Sequence, residues 1–249
     1  MKRLERFVGV ADTHGFYQDD AAVAALFDFC KHYKPDFRFH LGDYLDLPAL
    51  RNGAGSFDQS IGLNDDALAA ENFLKRFKPQ LLLMGNHDYR IAREIAQTGS
   101  GIKREFCKQV WGGINQTLAQ MGTKVVPYGK RDGFTEYGDY KLIHGYTHGK
   151  YAAMKAAEDY GNVIMGHVHT PNIMRSNRHD GAVGVSVGCL CQLELEYNLG
   201  HQGALKQAHG FIYGVRTSLN KLIIWEAKPH NGVWYFPSEI TERSYGKCA

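Results

Sequence analysis

The sequence has few cysteines and no cysteine pattern that would define a disulfide framework or a zinc ribbon. The five cysteines, an odd number at scattered spacings, are Cys30, Cys107, Cys189, Cys191 and Cys248. Small secreted domains held together by disulfides need a paired set of cysteines, so the pattern excludes that class. Cys189 and Cys191 lie in an apolar run, where we expect buried thiols on one face of a strand.

Long apolar runs and a strong charge of one sign are also absent. No segment approaches the about 18 consecutive apolar residues that a membrane-spanning helix needs. Residues 1–6 are charged and contain no apolar stretch like that of a signal peptide, so we expect a cytoplasmic protein with no membrane partner. The 29 basic and 26 acidic residues give a net charge of only +3, which does not indicate a dedicated nucleic-acid-binding protein.

The remaining composition is typical of a soluble globular protein. Of the 249 residues, 44% are hydrophobic and 22% are charged, which is sufficient for one large domain with a sizeable core. We predict a single domain over residues 1–249. It would carry a polar insertion near residues 51–64 and a helical insertion near residues 89–121.

Short apolar runs alternate with helical patterns along most of the chain. Buried strands are predicted at residues 7–11, 37–41, 80–84, 140–143 and 162–165. Helices are predicted from Asp19 to about residue 30, from Asp65 to about Phe77, and over about residues 152–160. This alternation is typical of an α/β layered fold. Short strands separated by turns fill residues 173–236, where we expect a second, more antiparallel sheet packed against the first.

Five short polar motifs follow the predicted strands in order. They are Asp12-Thr13-His14, Gly42-Asp43-Tyr44-Leu45-Asp46, Gly85-Asn86-His87-Asp88, His144, and Gly166-His167-Val168-His169. Because neighbouring strand ends converge on one crevice, we expect these carboxylates, the amide and the imidazoles to meet there. Such a set can hold two divalent cations side by side, an arrangement that catalyses displacement at phosphorus.

Each motif taken alone also has a plainer explanation. Asp12 could occupy a turn or cap a helix, Asp46 could be a solvated carboxylate, and residues 85–88 could form a turn with a helix cap. In the chemical interpretation, Asp12 and His14 leave an extended strand end from the same face and grip one cation. Asp43 could bridge two cations through its two oxygens, and Asp46 could accept a hydrogen bond from an imidazole.

The third and fifth motifs are the more specific ones. Asn86 offers a neutral amide oxygen, and the adjacent His87 cannot easily bind the same ion, so we interpret His87 as an acid/base group. His167 and His169 are two imidazoles directly after a buried strand, which favours a metal. Five motifs in order are hard to explain as independent turns. Seven other histidines fall in no such context, although one of them, His148, lies near His144 and could be an exception.

The ordered set resembles the calcineurin-like metallophosphoesterase superfamily, whose pattern is D-x-H, G-D-x-x-D, G-N-H-D/E, H and G-H-x-H. The resemblance covers residues 12–169 and implies an α/β fold, a four-layer α/β/β/α sandwich of two mixed sheets. It implies one metal ion held by Asp12, His14, Asp43 and His169, and a second held by Asp43, Asn86, His144 and His167. It further implies that Asp43 bridges the ions and that His87 is the catalytic histidine, oriented by Asp46.

By this resemblance we expect a metal-dependent phosphoester hydrolase, most simply a phosphodiesterase acting on a nucleotide or another phosphodiester. The cofactors would be two divalent ions, with Mn²⁺ favoured by the resemblance and Fe, Ni, Zn or Mg as alternatives. A nuclease acting on DNA or RNA is the alternative function. A non-catalytic scaffold is a lesser alternative, because degenerate members usually lose the catalytic histidine or several ligands.

Departures from the patterns of two subfamilies argue against a phosphoprotein phosphatase and against a purple acid phosphatase. Leu47-Pro48 and Met84 stand where phosphoprotein phosphatases carry Arg-Gly and Arg, and Asp46 stands where purple acid phosphatases carry Tyr. Gly188-Cys189 replaces a Gly-Ser pair that often follows the last strand. Several side chains beside the motifs could contact a phosphate or a base, or could be ordinary packing and surface residues. These are Tyr44, Tyr89, Arg90, Tyr146 and Lys150.

Overall fold

Strands and helices alternate through most of the protein, whose computed structural model describes residues 4–194 and 206–236. The helices are α1 Asp20–Tyr33, α2 Ser56–Ser60, α3 Leu63–Phe77, α4 Asp88–Gln97, α5 Gly101–Gln120 and α6 Ala152–Tyr160. The first strands are β1 Glu5–Val10, β2 Phe37–His40, β3 Leu81–Leu83, β4 Lys124–Val126, β5 Phe134–Tyr137, β6 Tyr140–Ile143 and β7 Val163–Met165. The later ones are β8 Asn172–Arg175, β9 Val183–Ser186, β10 Phe211–Arg216, β11 Leu222–Ala227, β12 Pro229–His230 and β13 Val233–Trp234.

Two mixed sheets form the centre of the molecule. The six-stranded sheet has the order β11-β10-β1-β2-β3-β4, and the five-stranded sheet has the order β5-β6-β7-β9-β8. In the first sheet, β1 to β4 run parallel, whereas β10 is antiparallel to both β1 and β11. In the second sheet, β6, β7 and β9 are parallel, and the edge strands β5 and β8 are antiparallel. The predicted α/β fold with two mixed sheets is confirmed.

Four of the strands that follow residue 169 join the two mixed sheets rather than a separate one, so that part of the prediction was wrong; β12 and β13 pair with each other as a short two-stranded sheet. β8 and β9 complete the sheet that β5, β6 and β7 begin, and β10 and β11 return to the edge of β1. The reason lies in β10, whose residues Phe211, Ile212 and Tyr213 are all buried. A strand that is apolar on both faces must lie inside a sheet that is covered on both sides.

Side chains of β1 alternate between the two faces of the six-stranded sheet and thereby define the layers. Val8 packs in a cluster with Leu26 of α1 and side chains of α3 and α5. Phe7, on the opposite face, packs in a cluster with Ile164 of the five-stranded sheet. The alanines of α6, including Ala157, cover the outer face of that second sheet. The result is the predicted order of four layers, α/β/β/α.

The predicted helices are present, with ends that differ by up to three residues. The helical stretch over residues 89–121 forms α4 and α5, separated at residues 98–100. The polar stretch near residues 51–64 contains α2, and its Asp58 and Ile61 are buried. That both stretches are insertions stays a prediction. Within residues 4–194 and 206–236, no helix is long and apolar enough to cross a membrane.

Two strands, β4 and β5, were not predicted. β4 is three residues long and Lys124 and Val125 are exposed, and in β5 only Tyr137 is buried. Short edge strands of this kind carry neither an apolar run nor a clear alternation. β4 is nevertheless important for the site, because it runs parallel to β3 and ends at the same edge of the sheet.

Candidate metal centre

The structure brings all nine predicted site residues together at the carboxyl ends of five strands. These ends belong to β1, β2 and β3 of the six-stranded sheet and to β6 and β7 of the five-stranded sheet. The nine residues are Asp12, His14, Asp43, Asp46, Asn86, His87, His144, His167 and His169. Six of them are buried, and only Asn86, His87 and His167 are partly exposed.

The first group of ligand atoms surrounds His14. The Nδ1–H of His14 donates to Asp46 Oδ1 at 2.8 Å, so the lone pair of its ring lies on Nε2. This Nε2 lies 3.1 Å from Nε2 of His169, which lies 3.6 Å from Oδ1 of Asp12. Among the described residues, this buried Asp12 oxygen has no hydrogen-bond partner. Electron-rich atoms that face one another in this way require a cation or a proton between them.

The second group surrounds His144. Its Nδ1–H donates to the carbonyl oxygen of Leu41 at 2.8 Å, so the neutral ring, the form that binds a metal ion, carries its lone pair on Nε2. Nε2 lies 3.0 Å from Oδ1 of Asn86 and 3.2 Å from Oδ2 of Asp43. The His167 ring completes the group, with its centroid 5.1 Å from that of His144. Two oxygens and an imidazole lone pair thus converge on one point.

Asp43 belongs to both groups through a single oxygen. Its Oδ1 accepts the backbone N–H of His87 at 2.8 Å, so this oxygen is already used. Its Oδ2 lies 3.2 Å from Nε2 of His144 and 4.0 Å from Nε2 of His14. The carboxylate therefore stands between the two imidazoles, one from each group.

Opposite charges within the two groups shift each other's pKa values. Burial acts to raise the pKa of Asp43, but the imidazoles of His144 and His87 outweigh it and hold that pKa well below its usual value. Burial acts to lower the pKa of His144, but Asp43 outweighs it and raises that pKa to about 9. For His167, burial and the neighbouring His144 lower the pKa to about 3, so its imidazole is neutral.

These atoms are suitable ligands for divalent ions. Three sets of side chains each place their candidate ligand atoms within 4.8 Å of one another: His14 with Asp43 and His87, Asp43 with His144 and His167, and His14 with His169 and Cys191. Mixed carboxylate, amide and imidazole donors suit Mn²⁺, Fe²⁺, Ni²⁺ or Zn²⁺. The unpartnered Asp12 oxygen and the converging lone pairs therefore fit bound ions.

His87 lies at the open side of the centre. Its Nδ1–H donates to Asp46 Oδ1 at 2.8 Å, the same oxygen that accepts from His14. The His14 and His87 rings lie 4.6 Å apart and almost perpendicular to each other. One buried carboxylate thus fixes the orientation of both imidazoles, and the His87 side chain is still 14% exposed.

The backbone at the centre differs from the expected extended strand ends. Asp12, His14, Asp43, His167 and His169 all have positive φ, between 50° and 73°. This left-handed region is uncommon for residues other than glycine. The expectation that Asp12 and His14 leave an extended strand from one face was therefore wrong. His167 and His169 belong to different groups of ligand atoms, because His167 packs beside His144 and His169 faces His14.

Two glycines allow the motif loops to approach one another. Gly42 has a φ of 106°, and a Cβ there would lie 2.6 Å from Nδ1 of His144. A Cβ on Gly85 would collide with Oδ1 of Asp43. Glycine is needed at both positions, as expected for the tight turn after β2, because the backbones touch the ligand side chains.

Two buried carboxylates that support the centre had no assigned role in the sequence analysis. Asp88 accepts backbone N–H groups from Asp43, Leu45 and Gly85 at 2.7–2.9 Å. Asp66 of α3 accepts those of Phe16, Asp46 and Leu47 at 2.9–3.1 Å. Asp88 belongs to the third motif, so the sequence could have indicated that it supports the centre. Asp66 gave no signal, because an acidic residue at the start of a helix is common.

The side chains beside the motifs have different surroundings. Tyr44 and Arg90 are buried, and the Arg90 guanidinium donates to the carbonyl oxygens of Asp46 and Leu47. Both are therefore packing residues rather than surface contacts. Tyr89 and Lys150 are exposed. His148, the possible exception among the remaining histidines, has its Nε2 3.2 Å from Nε2 of His167.

The thiols of Cys189 and Cys191 are fully buried, as predicted, but they do not lie on a regular strand. Residues 189 and 191 form only isolated bridges in the segment after β9. Sγ of Cys191 lies 3.9 Å from Nδ1 of His169. The pair therefore packs behind an imidazole of the centre.

The comparisons with solved structures identify the fold. The protein is similar to a metallophosphoesterase from Sphaerobacter thermophilus, with 14% identity, a TM-score of 0.52, and coverage of 90% of this chain and 88% of that chain. It is also similar to Vacuolar Protein Sorting 29 from Cryptosporidium parvum (11% identity, TM-score 0.45, coverage 93% and 95%). A third similar structure is an archaeal phosphodiesterase (14% identity, TM-score 0.43, coverage 89% and 99%).

The sequence comparisons give the family. No curated protein matches the chain. The family model for calcineurin-like phosphoesterases matches residues 5–185, which include every motif of the candidate metal centre. Because this match extends over well more than half of the sequence, the chain belongs to the calcineurin-like phosphoesterase family.

Proposed function

We propose that the protein is a phosphodiesterase that uses two divalent metal ions and acts on a nucleotide or another phosphodiester. The observation that carries the proposal is the position of Asp43, whose Oδ2 lies 3.2 Å from His144 and 4.0 Å from His14. One carboxylate oxygen between two sets of nitrogen and oxygen ligands is suited to bridge two ions. Membership of the family supports phosphoester hydrolysis as the chemistry.

Each proposed ion has its own set of side chains. Asp12, His14, Asp43 and His169 would hold one ion, and Asp43, Asn86, His144 and His167 would hold the other. Two divalent ions there would neutralise the charge of a bound phosphoester and lower the pKa of the attacking water. Mn²⁺ is the ion that we favour, with Fe, Ni, Zn or Mg as alternatives.

His87 is the residue that we assign to proton transfer. Asp46 accepts its Nδ1–H at 2.8 Å, which orients the ring. The partly exposed His87 would then donate a proton from Nε2 to the leaving oxygen. Asp46 also fixes His14, so it couples the orientation of a metal ligand to that of the proton donor.

The substitution His87→Ala tests this function. We expect kcat for thymidylyl-(3′→5′)-thymidine, whose sugar alkoxide must be protonated as it leaves, to fall about 10²- to 10⁴-fold, the usual contribution of a general acid, while metal content stays near that of the wild type. The measurements are steady-state kinetics and elemental analysis after reconstitution with Mn²⁺. The matched control is His32→Ala, because the His32 side chain is 72% exposed on α1. Unchanged turnover in His87→Ala would rule out the assigned role.

The substitution Asp43→Asn tests whether the two ions share this carboxylate. Loss of a bridging charge should weaken both sites, so we expect titration with Mn²⁺ to show fewer than two bound ions and reduced affinity. The control is Asp28→Asn on the solvent side of α1, whose side chain is 68% exposed. Loss of only one ion in Asp43→Asn, with the other bound as tightly as before, would argue against the bridge.

A substrate panel separates the phosphodiesterase from its alternatives. It contains a generic phosphodiester, a phosphomonoester, cyclic nucleotides, and single- and double-stranded DNA. Preference for DNA would replace the proposal with the nuclease alternative. Tight metal binding without hydrolysis of any member of the panel would favour the scaffold alternative.

A further inference from the structure

A cluster of tyrosine rings adjoins the second group of ligands. The Tyr128 ring lies 6.0 Å from the ring of His144, measured between centroids. Tyr89 and Tyr146 flank Tyr128, with centroids 5.8 Å and 5.4 Å away. The cluster therefore extends from the metal ligands toward the surface.

Three strand ends bring these tyrosines together. Tyr89 is two residues after His87, and Tyr146 is two residues after His144. Tyr128 is two residues after the end of β4, which runs parallel to β3 at the edge of the sheet. The carboxyl ends of β3, β4 and β6 thus supply one ring each at the crevice where the candidate ligands lie.

The three rings differ in how they are held. The Tyr146 hydroxyl donates to the carbonyl oxygens of Gly129 and Gly133, so this residue fastens the loop after Tyr128. Tyr128 is partly buried between the other two rings. Tyr89 is 45% exposed and is the outermost ring. The cluster therefore consists of two inner rings, Tyr128 and Tyr146, and one outer ring, Tyr89, that reaches solvent.

Basic side chains lie in the loops that follow two of the tyrosines. Lys130 and Arg131 lie in the loop after Tyr128, and Lys150 lies in the loop after Tyr146. All three are exposed, and within the described part of the chain none of them takes part in an ion pair. Aromatic rings beside unpaired cations are the usual means by which proteins hold a nucleotide, since the ring stacks on the base and the cations attract phosphates.

We propose that Tyr89, supported by Tyr128, is a stacking surface for the nucleobase of the substrate, with Lys130, Arg131 and Lys150 placed to attract its other phosphates. This inference rests on the proposed function and specifies its substrate class. A nucleoside phosphodiester would lie with its phosphorus at the metal centre and its base on the Tyr89 ring. A phosphodiester without a base would use the metal centre alone.

Two esters with the same leaving group test the stacking surface. The p-nitrophenyl ester of thymidine 5′-monophosphate carries a base, whereas methyl p-nitrophenyl phosphate does not. We expect Tyr89→Ala to lower the ratio of the two kcat/KM values, nucleoside ester over methyl ester, by about tenfold, within the range for loss of one stacked base. Tyr89→Phe should keep the wild-type ratio, because the ring remains. The matched control is Tyr235→Ala, since Tyr235 is 67% exposed beside His230.

The outcomes distinguish the inference from the function on which it rests. An unchanged ratio in both Tyr89→Ala and Tyr128→Ala would overturn the stacking surface and leave the phosphodiesterase intact. If the Mn²⁺-loaded wild type hydrolyses neither ester, the proposed function fails. In that case, calorimetric binding of thymidine 5′-monophosphate and of 2-deoxyribose 5-phosphate to the same protein decides the inference. Equal affinities would overturn it, and weaker binding of the base-free sugar phosphate would support it.

A further experiment tests whether the base that stacks on Tyr89 belongs to a free nucleotide or to a nucleic-acid strand. A short single-stranded oligothymidylate places several phosphates near the three cations, so it should gain affinity from them at low salt. A joint substitution of Lys130 and Arg131 by Ala would then weaken binding of the oligonucleotide more than binding of thymidine 5′-monophosphate. Equal effects on both would assign the surface to mononucleotides.

Discussion

A buried neutral histidine joins the first two motif loops. The backbone N–H of Gly42 donates to Nδ1 of His40 at 3.1 Å, so the proton of the neutral ring is on Nε2. Nε2 lies 3.1 Å from Oγ1 of Thr13, in the motif that contains Asp12 and His14. Burial lowers the pKa of His40 to about 3. The imidazole is therefore a structural link between two loops rather than a ligand.

This histidine should make the protein sensitive to acid. The unfolded chain protonates His40 near its usual pKa of 6.5, whereas the folded chain does so only near 3, so stability falls as the pH drops through this window. Between pH 7.5 and pH 5 the expected loss from this residue is about 2 kcal/mol in the free energy of unfolding. Urea unfolding of the wild type and of His40→Asn, with chelator present, measures it.

The comparison of the wild type with His40→Asn contains its own control. Every other titrating group is common to the two proteins, so the difference between their pH dependences isolates His40. His40→Asn should be less stable at pH 7.5, because the Asn side chain is smaller than the imidazole. It should lose about 2 kcal/mol less than the wild type on going to pH 5. Equal losses in the two proteins would contradict the prediction.

At the scale of elements, the N-terminus of α4 organises two loops through Asp88. The carboxylate accepts the backbone N–H groups of Asp43 and Gly85 on Oδ2 and that of Leu45 on Oδ1. The loops after β2 and β3 are therefore held to one helix end. Because Asp43 stands between the two ligand groups, the helix end also controls the position of the proposed bridging residue.

The substitution Asp88→Asn should damage both stability and metal binding. An amide has one acceptor oxygen, and its NH₂ group would face a backbone N–H, so at least one buried donor loses its partner. We expect a loss of about 1–3 kcal/mol in the free energy of unfolding without metal, measured by urea denaturation. Mn²⁺ affinity should also fall. Asp20→Asn, at an exposed site in the first turn of α1, is the control, and wild-type Mn²⁺ affinity in Asp88→Asn would show that Asp43 does not depend on it.

The elements that the sequence predicted well are those whose own composition determines them. β3 and β7 are short apolar runs, β2 and β6 are short and partly apolar, and all four stop at a polar motif; α6 lies where its pattern placed it. The pairing of β10 with β1, and of β11 with β10, could not be obtained in this way, because the place of these strands in the sheet depends on long-range contacts. β4 was missed since two of its three residues are exposed.

The sequence predicted which side chains would meet but not their geometry. The order of the motifs selected nine residues, and the structure brings them together; their roles in metal binding and catalysis stay predictions. The left-handed backbone at Asp12, His14 and Asp43 could not be predicted, because none of them is a glycine and the local sequence does not favour that conformation. The supports from Asp66 and Asp88 depend on the packing of α3 and α4, which only the folded chain shows.

At the scale of the whole molecule, the candidate metal centre joins the two sheets. The six-stranded sheet supplies Asp12, His14, Asp43 and Asn86, and the five-stranded sheet supplies His144, His167 and His169. A sandwich of two sheets is otherwise held by the apolar cluster between them. Ions bound at this edge would therefore link the sheets where acceptor atoms now face one another.

Removal of metal should consequently lower the thermal stability of the entire protein. An ion at 100 times its Kd stabilises the folded state by about 2.7 kcal/mol per site. For a chain of this length we expect a rise in Tm of about 5–10 °C for one site and more for two. Scanning calorimetry with chelator and then with Mn²⁺ measures the shift. His144→Ala removes a ligand from the five-stranded sheet, so its own shift should be about half that of the wild type. A shift as large as that of the wild type would show that the ions do not link the sheets through His144.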